Sequence, residues 1–445
     1  MIAPFPETEA LNECQKIIDL LDAGFITIEN VTQESAERSG AGVMLGVLVC
    51  VDSSQNRIVL KTISGISHRL VLANGLVEQN GIFVPPIVSA TEIESALAEN
   101  DVEIHRLTGK INFYKSQKKS YSEFEKIRIA LCEKSLKKVH ALYTFHCIDG
   151  SCRTLSDIVK NKNPPTGTGD CCAPKLLDYA FSHSLQPISM AEVFYGKNSD
   201  TKMNGHSYPP CDERCGLLLP DMLGLKIVFA DSHIVVIEKN SGLLSVPGRG
   251  ADKQDCVVSR FKKIYPHCIA QPAVHRLDME TSGLMVLAIT KEAHRELSRQ
   301  FADGEVKKQY EAVLDGNLAA MRIAKKGEMT LYFRLDVENR PHQIWDCVYG
   351  KKAITEWEIL GIEKQYRPDN SLRIVTRVLY TPHTGRTHQL RLASADSHGF
   401  GVPIVGDSLY GTCNNGERLL LHARYLCFTH PTTGKPMEFF SKCPF

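Results

Sequence analysis

The residue with the clearest chemical potential is Asp278, which lies in the run Val-His-Arg-Leu-Asp-Met-Glu-Thr-Ser-Gly over residues 274–283. A carboxylate held in a loop next to a core strand is a candidate nucleophile or general base. The alternative is a structural loop aspartate that accepts hydrogen bonds from nearby backbone amides. This run alone favours the structural interpretation, because turns capped by Asp are common.

The segments around Asp278 predict the elements that would hold it. Pro272 precedes it, and the apolar run Leu284–Ile289 that follows it predicts a buried strand. Glu292–Phe301 has the spacing of a short amphipathic helix. Apolar alternation predicts strands at Tyr310–Leu314, Leu372–Tyr380 and Leu419–Thr429. Strands outnumber helices and do not alternate strictly with them, so we expect an α+β domain with a mixed, largely antiparallel sheet and a central cleft.

Two further segments accompany the Asp278 run. They read Lys-Lys-Gln-Tyr-Glu-Ala-Val at 307–313 and Thr-Gly-Arg-Thr-His-Gln-Leu-Arg at 384–391, and the second of them is followed by Gly-Val-Pro-Ile-Val-Gly-Asp at 401–407 and Tyr-Gly at 410–411. In this order, over residues 225–445, the three segments resemble the RluA-type pseudouridine synthases. The family usually has Pro where Asn240 stands and often Asp where Glu280 stands, and we expect neither difference to touch a reacting group.

The resemblance implies an enzyme that isomerises uridine in structured RNA, in ribosomal RNA, in tRNA or in both. Such an enzyme breaks the N1–C1′ bond, turns the uracil and rejoins it through C5. The reaction involves no redox change and no net hydrolysis, so we expect no nucleotide, nicotinamide or metal cofactor. The alternative is a non-catalytic RNA-binding protein that retains the fold.

The resemblance also assigns three catalytic residues. Asp278 matches the family's catalytic Asp, which could attack the ribose C1′, attack the base, or promote a glycal intermediate. A carboxylate removed from water needs a nearby cation to stay ionised, and Arg391 matches the family's ion-pairing Arg, in what reads as the first turn of a helix. Tyr310 matches an active-site Tyr that can stack on uracil and relay the C5 proton.

The remaining predicted site residues would bind the RNA. Arg276 matches the family residue that fills the space left by the flipped uridine, a task that suits a planar cation. Leu421 would supply an apolar floor for the base, although Leu420 next to it faces the other side of a strand. The substrate-binding set predicted from the sequence is Arg276, Leu421, Arg386, His388 and Gln389. Lys307, Lys308 and Arg386 could contact phosphates, which would position the RNA without reading its sequence.

The composition of the chain is compatible with these expectations but does not by itself indicate an RNA-binding protein. Lys and Arg total 52 against 51 Asp and Glu, so any basic RNA-binding surface must be local. No apolar run is long enough to span a bilayer, and the N-terminus lacks the features of a signal peptide. Fifteen scattered cysteines are typical of reduced thiols in the cytosol. We therefore expect a cytoplasmic monomer without a membrane partner.

The first half of the chain predicts an α+β extension of unclear role, ending in a linker at 196–224 that is rich in Gly, Asn, Ser and Pro. The extension, 1–195, is expected to be helical over 1–35, strand-rich over 41–90, helical over 91–145 and cysteine-containing over 164–195. The Gly/Thr loop at 164–174 lacks the ending of a P-loop, so we expect no nucleotide there. Six lysines motivate a hypothesis that the extension positions RNA, against the alternative of a solvated charged face: Lys115, Lys118, Lys119, Lys134, Lys137 and Lys138.

The cysteines of this half raise a separate question. Cys171, Cys172, Cys211 and Cys215, with His183 and His206 between them, could assemble a zinc site. Adjacent cysteines are poor partners on one tetrahedral ion, and a three-residue gap is looser than the common two-residue gap. The sequence therefore favours buried free thiols and no metal.

Overall fold

The computed structural model of the chain describes residues 4–30, 42–73, 81–160, 163–413 and 417–445. The chain divides into two compact units, Met1–Asp231 and Ser232–Phe445. Among the described residues, no helix is both long enough and apolar enough to cross a bilayer.

The second unit contains the Asp278 run and is built around one sheet. Its elements, numbered along the whole chain, are β10 (Ile234–Lys239), α7 (Val257–Ile264), β11 (Ser282–Ala288), α8 (Lys291–Ala302), β12 (Lys307–Leu314), β13 (Lys326–Leu335), β14 (Gln343–Trp345), β15 (Lys351–Tyr366), β16 (Leu372–Pro382), α9 (Gln389–Ala395), β17 (Leu421–Thr429) and β18 (Pro436–Phe440). The strand order within this unit is β14-β13-β15-β16-β12-β17-β11-β10, and β18 pairs with β17. The β11–β17 pair is parallel, whereas the other pairs described in this unit are antiparallel. The predicted α+β class with a mixed, largely antiparallel sheet is confirmed.

The parallel pair formed by β11 and β17 depends on one glycine. Gly283 in β11 is in register with Ala423 in β17 and has a φ of +118°. A Cβ atom at Gly283 would lie 2.3 Å from the Ala423 carbonyl oxygen, which no side chain can accommodate. Glycine therefore permits the close approach of the strand that follows the Asp278 loop and the strand that begins at Leu421.

The first unit is also α+β. Its elements are α1 (Thr8–Asp22), β1 (Ile26–Asn30), β2 (Val43–Val51), β3 (Arg57–Ile63), β4 (His68–Leu72), β5 (Gly81–Phe83), α2 (Ala90–Ser116), α3 (Ser122–Leu142), β6 (Thr144–His146), β7 (Cys152–Thr154), α4 (Leu155–Val159), α5 (Cys172–Ser182), β8 (Gln186–Tyr195), α6 (Cys215–Leu223) and β9 (Lys226–Ala230). A four-stranded sheet has the order β5-β3-β2-β8. The apolar face of α1 packs on it through Ile17 and Ile18 against Leu45, Val47 and Val193.

Two predictions for the first unit are wrong in their extent. The helix predicted over 1–35 ends at Asp22, because Gly24 adopts a φ of +74° and the Phe25 and Gly24 amides cap the Leu20 and Leu21 carbonyls. Residues 1–3 and 31–35 of that prediction lie outside the described residues. The linker predicted over 196–224 contains α6, whose Leu218, Leu219 and Met222 are buried, so its apolar side chains outweigh its loop-like composition.

The predicted lysine surface is partly neutralised. Lys134 and Lys138 on α3 both pair with Glu99 on α2, and Lys115 lies 4.8 Å from the centre of the Tyr121 ring. Exposed pairs of this kind contribute little to stability, but they reduce the positive charge available to a phosphate backbone. The charges of these two helices therefore favour the solvated face over the RNA-positioning hypothesis.

Candidate active site

The second unit contains a cleft of about 520 Å³ whose walls come from three parts of the chain. One wall is the loop before β11, another is the loop before α9, and strands β12 and β17 form the floor. All eight residues predicted from the sequence line this cleft: Asp278, Tyr310, Arg391, Arg276, Leu421, Arg386, His388 and Gln389. The tertiary structure thus brings together residues that are up to 145 positions apart (421 minus 276).

The loop that carries Asp278 is fixed by hydrogen bonds to its neighbouring residues. The Leu277 amide donates to Ser245 Oγ at 3.0 Å, and that hydroxyl donates to the Leu277 carbonyl at 2.6 Å. Lys239 Nζ and the Gly242 amide both donate to the Met279 carbonyl, each at 2.9 Å. The backbone on each side of Asp278 is therefore held without using its carboxylate.

Lys239 itself is almost fully buried. Burial lowers the pKa of Lys239 to about 7, although the charge of Asp278 acts in the opposite direction. Its ammonium also donates to the carbonyls of Asn240 and Leu243, which replaces the water that it has lost.

The carboxylate of Asp278 faces the cleft and is one-fifth exposed. Within the described part of the chain, no side chain or amide donates a hydrogen bond to it; the ion-pair contact within 4 Å is His388 Nε2 at 3.9 Å from Oδ1. This geometry argues against the structural alternative, in which a loop aspartate bonds to backbone amides. The oxygens of Asp278 remain available to a bound molecule.

His388 has an unusual backbone conformation. It is the residue before α9 and has a φ of 55° and a ψ of 22°, in the left-handed region that non-glycine residues rarely adopt. Its Nδ1 lies 2.7 Å from the Tyr410 hydroxyl, whose oxygen accepts from the Gln343 amide. Because that oxygen already accepts a hydrogen bond, its own hydrogen is best donated to Nδ1, which leaves the proton on Nε2 facing Asp278. Burial lowers the pKa of His388, so the ring is neutral at pH 7.

Arg391 lies in the first turn of α9, as the sequence predicts, but its partners differ from the prediction. Its guanidinium donates to both oxygens of Asp407 at 2.9 and 2.5 Å and to Glu280 Oε2 at 2.9 Å. Asp278 is not among its hydrogen-bond or ion-pair partners within 4 Å in the described residues, so Arg391 acts on Asp278 here through its charge and not through a contact. The fully buried Asp407 occupies the guanidinium because an unpaired carboxylate there would be costly.

Arg391 still acts on Asp278 through its charge. Burial by itself would lower the pKa of Arg391, but the hydrogen bond and charge of Asp407, then the charges of Glu280 and Asp278, raise it above its ordinary value. The guanidinium is therefore a permanent cation whose charge acts on the Asp278 carboxylate. Glu280, where the family often has Asp, contacts Arg391 directly, at 2.9 Å, and has no hydrogen bond or ion pair with Asp278 in the described residues.

Tyr310 and Leu421 form the floor of the cleft on adjacent strands. Tyr310 is in register with Tyr380 on one side and Ala423 on the other, and a β-bulge between Gln309 and Tyr310 locally shifts the β12–β17 register. Burial, and then the charge of Asp278, raise the pKa of Tyr310, so its phenol stays protonated. Leu421 opens β17 and is buried at 3% exposure, in register with Ala312.

Gln389 lines the cleft but its amide is fully engaged within the protein. Its oxygen accepts from Thr384 Oγ1 and the Arg386 amide, both at 2.9 Å. Its nitrogen donates to the Ile354 carbonyl at 3.0 Å and Thr355 Oγ1 at 2.9 Å. Because every hydrogen-bonding site of its amide is used, Gln389 has none left for RNA. We therefore assign it the role of holding the 384–388 loop in place, instead of the predicted contact with RNA.

Sequence reasoning missed three residues of this site. Asp407 and Tyr410 stand behind Arg391 and His388, and the motif around Asp407 gave no sign of which cation it would pair with. Thr281 lines the cleft with a buried hydroxyl that lacks a hydrogen-bond partner in the described residues. A threonine after a catalytic loop carries no signal in sequence that would distinguish it from a strand residue.

Comparison with known proteins agrees with this geometry. Residues 233–396 match the family described as RNA pseudouridylate synthase. The dual-specificity RNA pseudouridine synthase RluA of Haemophilus influenzae is 45% identical over 224 residues, which cover 50% of this chain and 94% of that protein. Those of Escherichia coli K12 (43% identical) and Yersinia pestis (42%) match 48% and 49% of this chain and 91% and 97% of theirs.

The fold and the site thus define an RNA pseudouridine synthase domain. Within that class, the chain belongs to the RluA family, as the extent of these matches shows.

Proposed function

We propose that this protein isomerises specific uridines in structured RNA, in ribosomal RNA, tRNA or both, with Asp278 as the catalytic carboxylate. The observation that carries the proposal is the state of Asp278: its loop is fixed by hydrogen bonds, yet its oxygens are unused and face a cleft. A carboxylate that is held in position but accepts no internal hydrogen bond is suited to act on a substrate, because substrate binding breaks no contact within the protein.

The residues around Asp278 have complementary roles in this proposal. Asp278 acts on the ribose C1′ or on the uracil ring. Tyr310, whose phenol is protonated, stacks on the uracil and relays the C5 proton. Leu421 packs against the other side of the base, and Arg391 stabilises the negative charge of Asp278 from behind.

Access to the uridine requires the base to leave the helical stack, at a cost of a few kcal/mol. Arg276 is exposed at the cleft and is the residue that we assign to the vacated space in the RNA. Arg386 is exposed on the opposite wall, where it can contact a phosphate while its Nε donates to the Lys352 carbonyl at 3.0 Å. His388 and Thr281 offer hydrogen bonds to the ribose or base inside the cleft.

The test measures tritium release from C5-labelled ribosomal RNA and tRNA, taken from cells that lack this gene, with the wild type and Asp278→Asn. We expect release by the wild type from at least one RNA and none above background from the variant. Mapping the pseudouridines in both RNAs then identifies the position. Equal release by both proteins would contradict the role of Asp278, and tight RNA binding without release by the wild type would favour the non-catalytic alternative.

A further inference from the structure

Three cysteines that lie far apart in sequence come together in the first unit. Cys171 is the N-cap residue of α5, Cys215 is the first residue of α6, and Cys211 lies in the segment just before α6. Their sulfur atoms all lie within 4.8 Å of one another. The sequence favoured buried free thiols here, but Cys211 is exposed and Cys171 is half-buried.

The spacing of the sulfurs has the dimensions of a tetrahedral metal site. The Cys171–Cys211 and the Cys211–Cys215 Sγ–Sγ distances are both 3.8 Å. Two thiolates that bind one zinc ion at about 2.3 Å with a tetrahedral angle are about 3.8 Å apart. A disulfide would need about 2.0 Å and could join two of the three sulfurs, which leaves the convergence of the third unexplained.

The backbone between Cys211 and Cys215 is held in a turn. The Gly216 amide donates to the Cys211 carbonyl at 3.0 Å, and the Leu217 amide donates to the Arg214 carbonyl at 3.1 Å. These hydrogen bonds fix the relative positions of Cys211 and Cys215.

The other candidate ligands are engaged elsewhere. The Cys172 thiol is buried and donates to the Met44 carbonyl at 3.3 Å, so it does not join Cys171 on the same ion. The His183 ring stacks on Tyr179, and His206 Nδ1 lies 3.2 Å from the Asn204 carbonyl. Without Cys172, the set contains no adjacent cysteines, so one of the two objections to zinc no longer applies; the three-residue gap between Cys211 and Cys215 remains.

We propose that Cys171, Cys211 and Cys215 form a zinc-binding site that joins the N-termini of α5 and α6. Thiolates are soft ligands that select zinc over calcium or magnesium. The protein supplies three ligands, and the fourth position falls to solvent on the exposed side of Cys211. The zinc ion would restrain residues 211–215, where few apolar side chains hold the chain in place. Holding such a segment is the usual role of a structural zinc ion.

The experiment measures metal content of the full-length protein by inductively coupled plasma mass spectrometry after purification under reducing conditions. We expect roughly one equivalent of zinc in the wild type and less than about a tenth in Cys211→Ser. Cys132→Ser is the matched control, because Cys132 is an exposed cysteine of the same unit outside the cluster, and it should retain the zinc. Cobalt substitution should give a thiolate-to-metal charge-transfer band that Cys211→Ser loses and Cys132→Ser keeps.

Two results would overturn the proposal. One is a wild type that binds neither zinc nor cobalt when dialysed against either ion with a reductant. The other is an equal zinc content in the wild type, Cys211→Ser and Cys171→Ser, which would place the metal elsewhere. A disulfide between two of these cysteines in metal-free protein from reducing cells, seen as a mass loss of about two hydrogens, would also count against zinc.

Discussion

Asp278 and Asp407 both interact with the charge of Arg391, but their environments are opposite. Asp407 is fully buried and accepts hydrogen bonds from the Arg391 guanidinium and from the Leu409 and Tyr410 amides. Asp278 is one-fifth exposed, and no donor in the described residues bonds to it. One acid has every oxygen satisfied and holds the architecture, whereas the other is held in place with its oxygens free. Arg391 therefore stabilises the fold through its ion pair with Asp407, and it influences Asp278 through its charge alone.

The strongest test of this contrast is Asp278→Asn. The change removes the charge and keeps the shape, so we expect the rate of pseudouridine formation to fall on the order of 10⁴-fold or more, as for removal of a catalytic nucleophile. The free energy of unfolding should change by less than about 0.5 kcal/mol, since the carboxylate holds nothing else in place. Tritium release and urea denaturation measure the two quantities. A large loss of stability would show that Asp278 is structural.

Asp407→Asn should instead lower the free energy of unfolding. It leaves the buried Arg391 guanidinium with Glu280 as its remaining carboxylate, and breaking a buried pair costs about 3 kcal/mol. Urea denaturation measures the loss. Asp303→Asn is the matched control, because Asp303 pairs with Arg299 on an exposed helix face and should lose no more than about 0.5 kcal/mol. Equal stability of both variants would mean that Arg391 does not depend on Asp407.

Tyr310→Phe separates stacking from proton transfer beside Asp278. The ring remains to pack on the base, so RNA affinity should be retained, while loss of the hydroxyl should slow product formation about 100-fold. Single-turnover kinetics and filter binding measure the two effects. A variant that forms the product at the wild-type rate would leave Tyr310 with stacking alone.

The smallest expected effect concerns the anchoring of the Asp278 loop by His275. Its Nε2 accepts from the Val286 amide at 3.0 Å, and burial lowers the pKa of His275 to about 3. In the unfolded chain the ring binds a proton near pH 6.5, so its contribution is complete above that pH and is lost as the pH falls toward 3. Lowering the pH from 6.5 to 5 should therefore reduce the free energy of unfolding by about 1.5 kcal/mol through His275.

His275→Gln keeps an acceptor for the Val286 amide but does not titrate. We therefore expect the variant to show a shallower fall in the free energy of unfolding between about pH 6.5 and about pH 5 than the wild type. Denaturation at both pH values gives the slope, whatever the absolute stability of the variant. Identical slopes would show that His275 is not kept neutral by burial.

Much of the second unit could be predicted from sequence because its signals are local. Apolar alternation gave the strands, and the order of three motifs gave the residues of the cleft. The partner of Arg391 could not be predicted, since pairing depends on which carboxylate the fold buries beside it. Asp278, Glu280 and Asp407 are all acids in motifs, and their spacing along the chain does not distinguish them.

In the first unit, predictions from residue composition failed at two places, because composition does not show which side chains the fold buries or where a helix directs them. Residues 215–223 follow a loop-like stretch, yet burial of Leu218 and Leu219 makes them a helix. Cys171 and Cys172 look alike in sequence, but the helix that begins between them turns one sulfur toward Cys211 and the other toward Met44. Neither outcome follows from residue type.

The sequence by itself determined the fold class and the family, and it predicted Asp278 as the reactive carboxylate, because strand periodicity and motif order survive without three-dimensional information. Only the tertiary structure decided which groups leave Asp278 free, which acids hold Arg391, and which three of four cysteines converge. These depend on distances of 2.5 to 3.9 Å between residues that are 16 to 111 positions apart in the chain, and electrostatic and ligand interactions act over such distances.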